Sequence, residues 1–187
     1  RFEVIPNPVP PALPVGRQFG SGAGRHRLVA CGRLVPEKQF RELIEHFVRI
    51  SRERADWDLW IWGDGPEESE LRRTIESLGL SGRVFIQGRT DDIWGEMLRA
   101  DIFVLVSAFE GFPNSLLEAM ALGVPSVAFD CDFGPREITG DGKDAMLVPA
   151  NDWPALENVL RELFDDPASR AALGKKGAAA VREKFSL

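Results

Sequence analysis

Residues 102–130 read IFVLVSAFEGFPNSLLEAMALGVPSVAFD. The run at 102–106 is apolar throughout, the pattern of a strand buried on both faces. A helical stretch at 113–122 follows, opened by a first-turn proline, Pro113, and closed before Gly123. A second apolar run at 126–129 then returns to the sheet. Strand, helix and strand of this length form a crossover between parallel strands. The same alternation extends in both directions. Further strands are predicted at 28–31, 58–62, 84–87 and 145–148. Helices are predicted at 37–53, with Phe40, Leu43, Ile44, Phe47 and Ile50 on one face, and at 67–78, with Gly79 as its cap. A short one follows at 91–98 and two close the chain at 153–164 and 168–185. The expected fold is α/β, a Rossmann-like doubly wound parallel sheet. Ligands in such sheets bind just beyond the carboxyl ends of the strands.

Composition agrees with one compact domain. The 187 residues are 44% hydrophobic and 28% charged, ordinary for a globular chain. A net charge of -6 and a pI of about 5.1 argue against nucleic-acid binding, which needs a basic field. Two cysteines, Cys31 and Cys131, are no disulfide framework and fit a reducing, cytoplasmic setting. No run approaches the ~18 apolar residues of a membrane span. Residues 1–24 are rich in proline and glycine and read as an interdomain linker, leaving 25–187 as the folded domain. Gly20-Ser21-Gly22-Ala23-Gly24 precedes a strand and is no dinucleotide fingerprint, which argues against an NAD-linked dehydrogenase. His26 and His46 lie far apart, with no clustered ligand set for a metal. Trp57, Trp60 and Trp62 crowd the second strand and are read as packing.

The strand ends carry the chemistry. After the first strand, Gly32 admits close approach, and Arg33 and Lys38 place two cations at one edge. Lys38, near a helix start, opposes the helix dipole, and an anion there would relieve the conflict. Gly63-Asp64-Gly65-Pro66 after the second strand is a tight turn. Gln87, Gly88 and Arg89 after the third offer backbone groups and a cation. After the fourth come Glu110 in a loop and, eight positions on, Glu118 in the second turn of the next helix. The amides of Asn114, Ser115 and Leu116 form a phosphate cradle at that helix opening, with room left by Gly111. Glu118 is the lone charge in an otherwise apolar helix, whose buried side is expected at Leu117 and Ala121. Two carboxylates beside an anion site suit hydroxyl donors on either side of a diphosphate. After the fifth strand, Arg136 either reaches a phosphate or pairs with Glu137 and its neighbours; the structural role is favoured.

Taken in order, these segments resemble the C-terminal domain of family 4 glycosyltransferases, one half of a GT-B fold. Ile5-Pro6-Asn7-Pro8-Val9 is similar to the family's interdomain linker motif, Gly32-Arg33-Leu34 with Glu37-Lys38 to its GRL…EK segment, and Gly63-Asp64-Gly65-Pro66 to its G-x-GP. Glu110 and Glu118 match E-x7-E. The resemblance covers nearly the whole chain.

The resemblance implies retaining transfer from a nucleotide-diphosphate sugar, with no metal cofactor. Arg33 and Lys38 would hold the diphosphate. Glu110, with Gly111 and Phe112 close by, would bind sugar hydroxyls. Asn114, Ser115 and Leu116 would meet phosphates and ribose, and Glu118 would grip the ribose. Gly32 and Gly63 would flank the donor, and Gln87, Gly88 and Arg89 would border the base. Glu110, Arg33 and Lys38 are the expected catalytic groups. The stretch from Phe129 to Glu137 looks like a subgroup using UDP-hexose or UDP-N-acetylhexosamine to build polysaccharides or lipid-linked oligosaccharides. The saccharide or lipid-linked acceptor would sit on an N-terminal domain outside this chain, so the isolated chain is expected to bind donor and transfer little, and the full-length protein to sit in the cytoplasm, at the membrane's inner face where the acceptor is lipid-linked. The competing readings are a GT-B phosphorylase or epimerase relative, and a noncatalytic sugar-nucleotide sensor.

Overall fold

Buried alternating side chains build the sheet of this protein. The computed structural model describes residues 24–185. Its strands are β1 (His26–Cys31), β2 (Trp57–Trp62), β3 (Val84–Gly88), β4 (Ile102–Leu105), β5 (Ser126–Asp130) and β6 (Met146–Pro149). The helices between and after them are α1 (Phe40–Ser51), α2 (Glu68–Ser77), α3 (Ile93–Leu98), α4 (Asn114–Ala121), α5 (Pro135–Ile138), α6 (Trp153–Asp165) and α7 (Pro167–Phe185). The six strands are parallel in the order β3-β2-β1-β4-β5-β6. The doubly wound Rossmann-like expectation therefore holds. The linker reading of residues 1–24 and the Ile5-Pro6-Asn7-Pro8-Val9 motif lie outside the described residues, apart from residue 24.

The central strands feed two cores. Leu28 and Ala30 of β1, Ile102 and Val104 of β4, and Val127 and Phe129 of β5 pack with α1, α2 and α6. Val29, Phe103, Leu105 and Ala128 point the other way, toward α4 and the end of α7. The period-two alternation of a strand makes this split. Trp57 is fully buried and stacks on Phe164 with ring centroids 3.8 Å apart. No helix among the described residues is long and apolar enough to cross a membrane.

One predicted helix is divided. The stretch 37–53 begins as a 3-10 turn, Pro36–Lys38, and restarts at Phe40. Between them Gln39 takes a left-handed conformation, φ 51°, which ends the turn and re-aims the chain.

The loops at the carboxyl edge are laced together by their backbones. The Gly32 amide donates to the Trp62 carbonyl at 3.0 Å, Leu34 to Asp64 at 2.7 Å, and Gly63 to Gly88 at 2.7 Å. Gly63 sits at φ 142°, and a Cβ there would lie 1.9 Å from the Gly32 carbonyl oxygen. We therefore expect Gly63→Ala to destabilise the domain by about 3 kcal/mol, lowering Tm by ~6–12 °C. A thermal melt followed by circular dichroism checks this; an unchanged Tm would mean the loops are not packed this way.

Candidate functional site

The order in which the chain adds strands reverses at one place, between β1 and β4. β1 continues leftward to β2, and β4 continues rightward to β5. The loops that follow β1 and β4 therefore leave a crevice between them at the carboxyl edge, where open α/β sheets bind ligands. A backbone bond fastens the two loops: the Ala108 amide donates to the Glu37 carbonyl at 2.8 Å.

That bond brings Lys38 to Glu110, although they are 72 positions apart. Lys38 Nζ lies 2.5 Å from Glu110 Oε1. The Ser107 hydroxyl donates to the same oxygen at 2.6 Å. Glu110 is only 8% exposed, and a buried carboxylate needs such partners. Neither bond engages Oε2, which keeps its acceptor capacity for a ligand. The anion that relieves Lys38 here is Glu110 itself.

Cys31 marks where the remaining groups meet. Its thiol shares a hydrogen bond with Ser115 and feels the charges of Glu118, Lys38 and Glu110. Burial pushes the thiol up to about 12, so it stays neutral and unreactive at physiological pH. Cys131, after β5, is likewise pushed up to about 11 by burial, and it too feels Glu110 and Lys38. Both cysteines are free. Sequence reasoning treated Cys31 as part of an apolar run; only the register of β1 against β4 puts it beneath the crevice.

Glu118 has a different environment. It is half-buried in α4, beside Leu116, Leu117, Ala119 and Met120, which form the buried side. Ala121, expected on that side, is only partly buried. Burial raises the Glu118 carboxyl above its ordinary range, and a hydrogen bond from the Trp94 side chain pulls it partly back. Trp94 was not singled out from sequence, because an aromatic on a short helix reads as core.

The helix opening needs one correction. The amides of Leu116 and Leu117 both donate to the Pro113 carbonyl, at 3.0 and 3.3 Å. Leu116 is therefore spent on closing the first turn, and the cradle narrows to the residues before it. The cause is local: Pro113 is the residue before α4, so its carbonyl accepts the amides of the third and fourth helical residues.

The other expected residues form the rim. Arg33 is exposed and makes no ion pair with a described residue. Gln87 and Arg89 are exposed at the end of β3, two strands from β1. Arg89 lies 3.9 Å from Asp64, and Gly88 is tied to Gly63. Gly111 is exposed and Phe112 partly buried, 6.3 Å from Phe185 between ring centroids. A Cβ on Gly134, at φ 95°, would lie 2.4 Å from Pro113 Cδ, so the loop after β5 abuts this one. Arg136 has a structural role as favoured, but its partners are Asp130 and Asp141 rather than Glu137. His46 bonds Glu157 at 2.6 Å and stacks on Trp153. Among the described residues no three His, Cys, Asp or Glu side chains gather as metal ligands.

Comparison with known proteins places this geometry. The family model for glycosyl transferases group 1 matches residues 17–180. An exopolysaccharide phosphotransferase of Streptomyces coelicolor is 39% identical over 177 residues, 94% of this chain and 18% of that protein. The lipopolysaccharide core biosynthesis glycosyltransferase LpsD of Rhizobium meliloti is 34% identical over 177 residues, 94% of this chain and 50% of that protein. The chain thus spans half or less of these relatives. A variant of S. aureus TarM, solved with fondaparinux, α-GlcNAc-glycerol and UDP, superposes with a TM-score of 0.83 at 25% identity, covering 90% of this chain and 34% of that one.

Proposed function

The chain belongs to the glycosyl transferases group 1 family, and on that premise we propose that it is the donor-binding domain of a retaining, metal-independent family 4 enzyme. It holds a UDP-linked hexose or N-acetylhexosamine for transfer to a growing polysaccharide, oligosaccharide or lipid-linked acceptor. One observation carries the reading: Lys38, Glu110, Ser115 and Glu118 gather around Cys31 at the β1–β4 switch point. The structural neighbour solved with UDP supports the nucleotide, and the lipopolysaccharide core biosynthesis glycosyltransferase among the relatives supports sugar transfer.

In this reading the donor lies along the crevice. Lys38 and Arg33 oppose the charge that develops on the leaving diphosphate, the role a metal fills elsewhere. Glu110 Oε2 accepts hydroxyls of the sugar, with Gly111 and Phe112 beside it. The opening of α4 at Asn114 and Ser115 meets the phosphates, and Glu118 accepts the two ribose hydroxyls. Gly32 and Gly63 keep the floor open, and Gln87, Gly88 and Arg89 border the base. Residues 1–24 lead to an acceptor-binding domain outside this chain, so the chain alone binds donor and transfers little. A lipid-linked acceptor would hold the whole protein at the cytoplasmic face of a membrane.

Calorimetry of the chain against UDP, GDP and ADP tests this. UDP should bind best; a folded sample that binds no nucleoside diphosphate would overturn it. The pH dependence has a defined sign. Burial makes Glu118 protonate above the ordinary carboxylate range, and a protonated carboxyl loses acceptor capacity. Affinity for UDP-glucose, whose phosphates do not titrate here, should fall as pH drops from neutral toward the ordinary carboxylate range. A flat profile down to pH ~4 would remove Glu118 from the ligand contacts.

A further inference from the structure

The crevice has an apolar lip. Among the described residues three large apolar side chains are exposed, Leu78, Phe109 and Phe133, and two of them meet. Phe109 (56% exposed) and Phe133 (70% exposed) come from the loops after β4 and β5 and sit edge to face, with ring centroids 6.4 Å apart. A parallel bridge between Phe109 and Asp132 joins the two loops. Phe133 takes a left-handed backbone, φ 62°, an uncommon and costly conformation for a bulky side chain. Two rings held in water at that cost point to a ligand.

We propose that Phe109 and Phe133 form a stacking platform for a pyranose ring of the acceptor saccharide. This inference rests on the donor-site reading above, which puts the donor sugar on Glu110. Phe109 precedes Glu110, and neighbours in an extended segment face opposite sides: Glu110 is turned into the protein and Phe109 out of it. Phe133 precedes Gly134, where a Cβ would lie 2.4 Å from Pro113 Cδ and 3.3 Å from Phe112 Cα. The platform is therefore seated on the loop that carries Glu110, at its outer side. A sugar stacked there lies beside the donor sugar rather than in its place.

Charge selects the occupant. Residues 130–141 carry four carboxylates, Asp130, Asp132, Glu137 and Asp141, and one cation, Arg136. Arg136 is engaged by Asp130 and Asp141, while Asp132 and Glu137 are exposed. Such a rim repels phosphates, whether of a nucleotide or of an anionic membrane surface. It suits a neutral polyol, whose hydroxyls donate to carboxylates while a C–H face of its ring packs on an aromatic. Two side chains are too little for a protein partner, which needs ~800 Å² a side. The domain outside this chain would hold the rest of the acceptor, and the platform orients the sugar that receives the donor's.

The double variant Phe109→Thr/Phe133→Asn tests this. Threonine keeps the extended preference and asparagine tolerates the left-handed one, so both rings go and the backbone stays. The chain, saturated with UDP, is titrated with maltose, lactose and chitobiose by saturation-transfer NMR. At least one disaccharide should bind, and the double variant should bind it about tenfold more weakly. Phe109→Tyr/Phe133→Tyr, which keeps both rings, should bind it as the unaltered chain does. UDP affinity, read by calorimetry, should be the same in all three proteins. Three results would overturn the inference and leave the donor-site reading standing: disaccharide affinity unchanged by ring deletion, no binding of any of the three sugars, or capture of phosphatidylglycerol vesicles that ring deletion abolishes. A loss of UDP affinity on ring deletion would move the rings into the donor site and overturn it too. Failure of the unaltered chain to bind UDP would end both.

Discussion

Lys38→Met is expected to cut transfer by the full-length protein about 10²–10³-fold, the scale of losing one preorganised charge-stabilising donor. Two effects combine. The diphosphate loses the cation that opposes its growing charge, leaving only the exposed Arg33 on that side. Glu110, which is buried, also loses its 2.5 Å partner and keeps only Ser107. A buried charge stripped of its partner costs ~2–4 kcal/mol, so the variant should also melt earlier. The two effects separate in the double variant Lys38→Met/Glu110→Gln. There the stability should largely return, because no unpaired charge remains, while transfer should not. Steady-state assays with labelled donor, alongside thermal melts, read both. Recovery of activity in the double variant would mean Lys38 acts only as the partner of Glu110.

Glu118→Gln should do the reverse to stability. UDP affinity should fall by roughly tenfold or more, since a charged acceptor for two hydroxyls becomes a neutral one. The fold should become slightly more stable at neutral pH. The sign follows from linkage. The folded-state carboxyl is raised, so between the ordinary value and the raised one the native state binds the proton more tightly. Stability then falls as pH rises through that window, and above it the ionised group is a fixed cost. Glutamine removes that cost, giving a Tm a few degrees higher at pH 7, with the difference closing toward pH 4. Loss of affinity with gain of stability is the mark of a binding residue. A variant that unfolds more easily and binds as before would make Glu118 structural.

Much of this was legible from the chain. The uninterrupted apolar runs at β4 and β5 imply strands covered on both faces, and Pro113 and Gly123 frame the helix between them. These local signals need no partner to be read. Strand order is different: β1 meets β4 through residues 74 positions apart at the Arg27–Asp101 contact, and periodicity says nothing of it. The Lys38–Glu110 pair and the Cys31 hub follow from that order, so the cations and glutamates could be named but not joined. The Leu116 amide was read as free because its bond depends on where the Pro113 carbonyl points. The break at Gln39 was invisible because neither Gly nor Asn announces its positive φ. Trp94 was missed because its partner lies on another helix.

The most direct test of the convergent crevice is a crystal structure of the chain with UDP bound. Ribose hydroxyls on Glu118 and a diphosphate between Lys38 and the opening of α4 are the predicted result. UDP seated elsewhere on the sheet, or in the crevice with Glu118 and Lys38 untouched, would contradict it.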